Sequence, residues 1–145
     1  MRINIPWNRY ALIVELADRF KERIPKFGKT LLQKMVYLLQ EVYGVNCGYR
    51  FELYTYGPFS SELLQDLDLV ESLGGVTVVP VISGVGGYMI LPGEYSELLK
   101  KKAESFLSDE KTLSALDNVV KNFGNYLAKD LELRSTITVS YTHLR

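Results

Sequence analysis

Apolar residues recur at helical spacing through the first 43 positions, and glycines and prolines cut much of the following stretch into short pieces. Long amphipathic runs followed by closely punctuated β-branched runs restrict the chain to a mainly helical α+β domain. Trp7, Tyr10, Ala11, Val14 and Ala17, with Ile13, Leu16 and Phe20, predict a helix from Trp7 to Ile24. Pro6 stands just ahead, where a first turn tolerates it, and Pro25 closes the helix, because the residue before proline avoids helical backbone. A second helix is predicted from Thr30 to Tyr43, with Thr30 and Gln33 in the spacing of a capping box and Gly44 as its C-terminal stop. Leu31, Leu32, Met35, Val36, Leu38, Leu39 and Val42 cover more than one face, so this helix is expected to be central.

The next pieces are shorter. Tyr49 to Tyr56 alternates and predicts a strand, broken by Gly57-Pro58, which sets the turn into a third helix. That helix is expected to be capped by Ser60 or Ser61 and to end at Leu73, with Leu63, Leu64, Leu67, Val70 and Leu73 inward. Val76 to Ile82 and Gly87 to Leu91, split by Ser83-Gly84-Val85-Gly86, predict a hairpin in which Pro80 favours an edge. Helices from Glu94 to Leu107 and from about Asp109 to Lys129 follow. The last has Leu113, Leu116, Val119, Val120, Phe123 and Leu127 inward, and Leu131 to Ile137 starts another helix. The order helix, helix, strand, helix, two-stranded ribbon is that of a winged helix with extra C-terminal helices. Without repeats or a linker, 1–137 is read as one domain.

The segment Val139 to Arg145 resembles a translated sequencing adapter, so 138–145 is expected to be a non-native tail. The other reading is a C-terminal strand, since Ile137, Val139 and Tyr141 alternate with polar residues. On the first reading the only histidine, His143, is no candidate ligand or base.

A set of ordered motifs between Gly28 and Val76 resembles the Panacea-domain antitoxins and the YwgA-like, phage-associated proteins of bacteria and archaea. Lys29-Thr30-Leu31-Leu32-Gln33-Lys34-Met35-Val36-Tyr37 comes first, then Phe51-Glu52-Leu53-Tyr54-Thr55-Tyr56-Gly57-Pro58, then Ser60-Ser61-Glu62-Leu63. Leu131 to Ile137 is similar to a late helix of the same group. The most specific element is Tyr56-Gly57-Pro58 at its distance from Leu32-Gln33-Lys34. The resemblance implies a domain that neutralises a toxin by binding it, although fold transfers better than function.

Charge disfavours DNA, the usual ligand of a winged helix. Phosphate neutralisation by Lys and Arg supplies much of DNA affinity. The chain carries 17 basic and 17 acidic residues, a net charge of zero. From Phe51 to Leu99 there is no Lys or Arg, while Glu52, Glu62, Asp66, Asp68, Glu71, Glu94 and Glu97 all fall there. The helix in the recognition position holds four of those acids. Lys21, Arg23, Lys26, Lys29 and Lys34 surround the first two helices, and Lys100-Lys101-Lys102 follows later. These form a solvated face or, alternatively, a phosphate-binding surface through Lys21, Lys26, Lys29 and Lys34. Such segregation favours steering of an oppositely charged protein partner.

Nothing assembles into a catalytic set. The one histidine, His143, lies in the expected non-native tail, so no Ser-His-Asp or Cys-His arrangement can be built, and no zinc-type spacing exists. The glycine-rich Ser83 to Gly87 lacks the lysine of a phosphate loop. Glu62 and Asp66 share one helical face while Asp68 and Glu71 lie on another, which favours a solvated acidic surface over a cation site. A single cysteine, Cys47, precludes an intrachain disulfide and is expected to be inert and half-buried; with no signal peptide and no membrane helix apparent, the expected compartment is the cytoplasm. The expectation is therefore a non-catalytic protein-binding domain with no cofactor and no metal. Its contact residues are Tyr54, Tyr56, Glu62, Asp66 and Tyr88, and Gln33, Gly57 and Pro58 are structural. The alternatives are a DNA-binding regulator and a phage-associated accessory protein.

Overall fold

The computed structural model describes residues 5–22, 27–55, 57–82 and 87–122. Two helices open the chain, α1 (Trp7–Phe20) and α2 (Lys29–Glu41). A small hairpin follows, β1 (Glu52–Tyr54) and β2 (Gly57–Phe59), and then α3 (Ser61–Ser72). A longer ribbon, β3 (Val76–Pro80) and β4 (Tyr88–Pro92), precedes the short helices α4 (Ser96–Lys102) and α5 (Glu104–Ser108). Residues 110–122 form a further helix, α6. The chain is thus α+β and mainly helical, with both β pieces antiparallel two-stranded sheets. Among the described residues no helix is long and apolar enough to cross a membrane.

The centre is α1 rather than α2. Tyr10, Ala11, Leu12, Ile13, Val14, Leu16, Ala17 and Phe20 are all buried. The small Ala11 and Ala17 let neighbours approach closely, and α3, α4, α5 and β4 all pack on this helix. Full burial of each large aliphatic side chain here contributes about 1.5–3 kcal/mol. By contrast α2 buries one stripe, Leu32, Gln33, Met35, Val36 and Leu39, and leaves Val42 exposed. Its run of apolar residues is wider than the face the fold covers.

Local signals place most boundaries. Gly44 takes a positive φ of 72° after α2, and the Val45 N–H returns to the Leu39 carbonyl at 2.9 Å. Ser60 caps α3 as expected, its hydroxyl accepting from the Leu63 N–H at 3.2 Å. Asp109 accepts from the Lys111 and Thr112 N–H groups at the start of α6.

The capping box is not formed. Because α2 begins at Lys29 after an extended Gly28, Thr30 already lies inside the first turn and Gln33 lies beyond capping reach. Gln33 instead points inward and clamps the entry to α3. Its Nε2 donates to the Ser60 carbonyl at 3.1 Å, and its Oε1 accepts from the Ser60 N–H at 2.9 Å. One buried amide thereby satisfies both backbone groups of a residue 27 positions away, where no water is at hand to replace it.

Gly57-Pro58 also differs from expectation. These residues form the second strand of the small hairpin, with Leu53 opposite Pro58 and Tyr54 opposite Gly57. The reversal comes earlier, between Tyr54 and Gly57, because a two-residue connection suffices between antiparallel strands. The predicted single strand is therefore a hairpin that pairs with itself and not with the later ribbon.

The ribbon keeps Val76 opposite Pro92 and Pro80 opposite Tyr88, so Pro80 does sit on an edge. Its outer edges are occupied. The Val78 N–H donates to the Glu71 carboxylate at 3.2 Å, and the Ile90 N–H to the Phe27 carbonyl at 2.7 Å. The helix expected from Glu94 to Leu107 is broken at Ala103, which is buried and leaves helical backbone at φ −126°. Just before the break, the Lys100 ammonium meets Asp18 at 2.9 Å and Glu15 at 3.4 Å on α1. Arg19 reaches from α1 to Asp117 on α6 at 2.7 Å. Leu73 and Leu113, expected inward, are exposed, while Leu116, Val119 and Val120 are buried as expected. Pro25, Phe123, Leu127, the helix expected from Leu131 to Ile137 and the tail 138–145 lie outside the described residues.

The amide clamp has a measurable consequence. Gln33→Leu keeps the volume but strands the buried Ser60 N–H and leaves the Ser60 carbonyl only the longer bond from the Leu64 N–H at 3.4 Å. A buried group left unpaired costs roughly 1–3 kcal/mol. Urea unfolding is expected to show a loss of about 2–4 kcal/mol, whereas Gln40→Leu at the more open end of α2 costs less.

Candidate interaction surface

The position of α3 decides which acids face outward. Leu63, Leu67 and Val70 form its buried stripe, and Asp66 falls on that same side. Asp66 is 5% exposed, so it is not a surface contact residue. A buried carboxylate needs partners, and three donors converge on its Oδ2. Arg9 donates from Nε at 2.9 Å and from Nη2 at 2.7 Å, and the Tyr49 hydroxyl donates at 2.6 Å. The Arg9 guanidinium also lies 4.3 Å over the Tyr49 ring. Burial pushes the Tyr49 hydroxyl far above its ordinary range, and the Asp66 carboxylate pushes it the same way. For Arg9, burial is the largest influence and works against the charge, but the Asp66 bond together with the Asp66 charge and the charge and bond of Tyr49 outweighs it and the pKa rises.

This network joins α1, the segment before the small hairpin, and α3. Arg9 and Tyr49 were not singled out in the sequence, and Asp66 was expected as an exposed contact residue, although one signal of its burial was present. Asp66 sits three residues after Leu63 and four before Val70, inside the apolar stripe, where an acid requires a buried base.

The outward side of α3 keeps Glu62, Gln65, Asp68, Leu69, Glu71 and Ser72. Glu62 remains half open and lies 3.8 Å from Arg9, so the shared face expected for Glu62 and Asp66 is real but points one acid out and one in. Beside it the small hairpin exposes Glu52, Leu53 and Tyr54. The Tyr54 hydroxyl donates to Glu52, and its ring meets Phe59 edge to face at 6.1 Å. An open groove of about 510 Å³ runs between hairpin and helix, lined by Arg50, Glu52, Phe59, Ser61, Glu62 and Gln65. Tyr54 and Glu62 are thus brought to neighbouring elements. Tyr56 lies outside the described residues.

Tyr88 is placed elsewhere, on β4 against the start of α2. The Lys29 ammonium lies 4.1 Å from its ring centre, so a residue expected to meet a protein and one expected to meet phosphate contact each other. Lys21 pairs with Asp18 at 3.0 Å, while Lys34 is half-buried and Lys26 lies outside the described residues. The basic candidates are partly engaged within the fold. Cys47 is more buried than expected, and burial pushes its thiol up to about 12, which leaves it un-ionised near neutral pH. Among the described residues no group of three or more His, Cys, Asp or Glu could hold a metal ion.

Comparison with family models, characterised proteins and solved structures finds no match for this chain.

Removing Asp66 tests the network. Asp66→Leu leaves the Tyr49 hydroxyl without its partner and Arg9 with only the longer contact to Glu62, and is expected to lower stability by roughly 3 kcal/mol. The triple change Arg9→Met, Asp66→Leu and Tyr49→Phe replaces all three members by apolar groups. It is expected to regain most of that loss in thermal unfolding, because no orphaned polar group remains.

Proposed function

We propose that this chain is a non-catalytic protein-binding domain whose contact surface is the exposed side of α3 and the tip of the small hairpin. One observation carries the reading. The stretch from Phe51 to Leu99 contains no base, and on that surface Glu52 and Glu62 stand beside the exposed Leu53 and Tyr54, with Arg50 as the base that lines the groove between them. Acidic groups around exposed aromatic and aliphatic side chains suit a basic protein patch, with charge guiding encounter and apolar burial supplying affinity. The exposed side of α3 itself carries acids and no Lys or Arg, which disfavours its docking into a DNA groove. The likeness to Panacea-domain antitoxins gives the reading its specific form, in which the partner is a toxin held inactive by direct binding.

The test starts with a tagged chain, cross-linked in its own host, to capture the partner. The captured protein is then purified and titrated with the untagged chain. Saturable binding is expected, weakened roughly tenfold or more at low salt by Glu52→Lys with Glu62→Lys. On the antitoxin form, the captured protein alone arrests growth and co-expression of this chain restores it. Binding indifferent to both reversals would contradict the surface, and retention of duplex DNA with no protein would contradict the function.

A further inference from the structure

A second surface lies at the opposite end of α3, away from the hairpin. Leu69 and Leu73 are four residues apart and so share one helical face. They are 48% and 43% exposed. The next residue, Gly74, has a φ of 83°, and the Tyr95 ring lies so close that a Cβ at Gly74 would sit 2.5 Å from it. The Tyr95 N–H donates to the Gly74 carbonyl at 2.8 Å, which fixes the start of α4 against the end of α3. Tyr95 is 51% exposed, and Leu98, one helical turn later, is 54% exposed. Leu73 and Tyr95 therefore flank this junction, and Leu69 and Leu98 stand one helical turn from it on either side.

The rim is acidic. Asp68 adjoins Leu69, and Glu94 and Glu97 flank Tyr95 and Leu98; all three are exposed. No Lys or Arg falls between Phe51 and Leu99, the stretch that holds all of these residues. Lys100 is held by Asp18 and Glu15 and also reaches Glu97 at 3.4 Å, so Asp68 and Glu94 are the more open acids of the rim, and Lys102 sits 5.3 Å over the Trp7 ring. That leaves Lys101 at the far end of α4.

We infer that the Leu69–Leu73–Tyr95–Leu98 patch docks a basic amphipathic helix of the partner protein. Exposed apolar residues gathered in this way mark interaction surfaces. A helix that presents leucines at i, i+3, i+4 and i+7 matches a patch built from two helix ends. Its flanking lysines or arginines would meet Asp68, Glu94 and Glu97. The rim argues against a second copy of this chain, because two such rims would face each other with like charge. The inference rests on the protein-binding reading, but it places the contact at the opposite end of α3.

The probe is a synthetic helical peptide of leucine and lysine in heptad order, with a leucine–glutamate version as its control. Fluorescence anisotropy of each labelled peptide is followed against the full chain. The lysine peptide is expected to bind in a salt-sensitive manner and the glutamate peptide not to bind. Leu69→Asp, Leu73→Asp and Leu98→Asp, each checked by circular dichroism for an unchanged fold, are expected to weaken binding roughly tenfold or more. Glu94→Lys with Asp68→Lys should weaken it at low salt, and Val42→Asp on α2 should leave it unchanged.

Equal binding of both peptides, or binding untouched by the three leucine changes, would overturn the inference. So would a dimer of the unaltered chain in sedimentation that Leu73→Asp dissolves, with no peptide bound. A natural partner lost through Glu62→Lys but not through Leu73→Asp would sink this inference and leave the proposed function standing.

Discussion

The Asp66 carboxylate, buried under Arg9 and Tyr49, is the interaction on which the rest of the surface depends. An unpaired charge in that position would turn α3 to bring the acid to water. Paired, it locks the helix at one rotation, with Leu63, Leu67 and Val70 inward and Glu62, Asp68 and Leu69 outward. The Gln33 amide fixes the same helix at its first turn by holding both backbone groups of Ser60. Two polar contacts, one per turn, do what apolar packing alone does poorly, since a hydrophobic stripe tolerates small rotations and a set of directed hydrogen bonds does not.

The two ends of α3 then face different surroundings. At its start, the small hairpin and Arg50 make a polar groove with Tyr54 beside it. At its end, Gly74 lies under the Tyr95 ring, and Leu69, Leu73 and Leu98 are exposed on the segments that meet there. Between them Glu71 turns sideways to accept from Val78, which serves the edge of the ribbon and is one reason the ribbon sits where it does. A single acidic helix thus divides its charges among a buried pair, a strand edge and an open face.

Much of this was legible in the sequence where the signal was local. The apolar periods of α1 and α3, the Ser60 cap, the Gly44 stop and the Val76–Pro92 ribbon follow from spacing and turn chemistry. What was not legible depended on partners far along the chain. Thr30 and Gln33 have the spacing of a capping box, but the helix starts one residue early, which frees Gln33 to reach Ser60. Asp66 looked like one more surface acid because Arg9 is 57 positions away. Residues 94–107 carry a continuous helical pattern, yet the tie from Lys100 to α1 and the buried turn at Ala103 divide it. Of the candidate site, Tyr54 and Glu62 lie on adjoining elements, whereas Tyr88 packs with Lys29 on another part of the fold.

The central claim is that the outward face of α3 turns away polyanions, so the ligand is a protein. Titration of the full chain with a labelled 20-base-pair duplex at low salt tests it most directly. The account predicts no saturable binding, and none after Glu62→Gln with Asp68→Gln either, because removing acids supplies no base. Tight, salt-dependent binding that weakens when α3 is altered would contradict it.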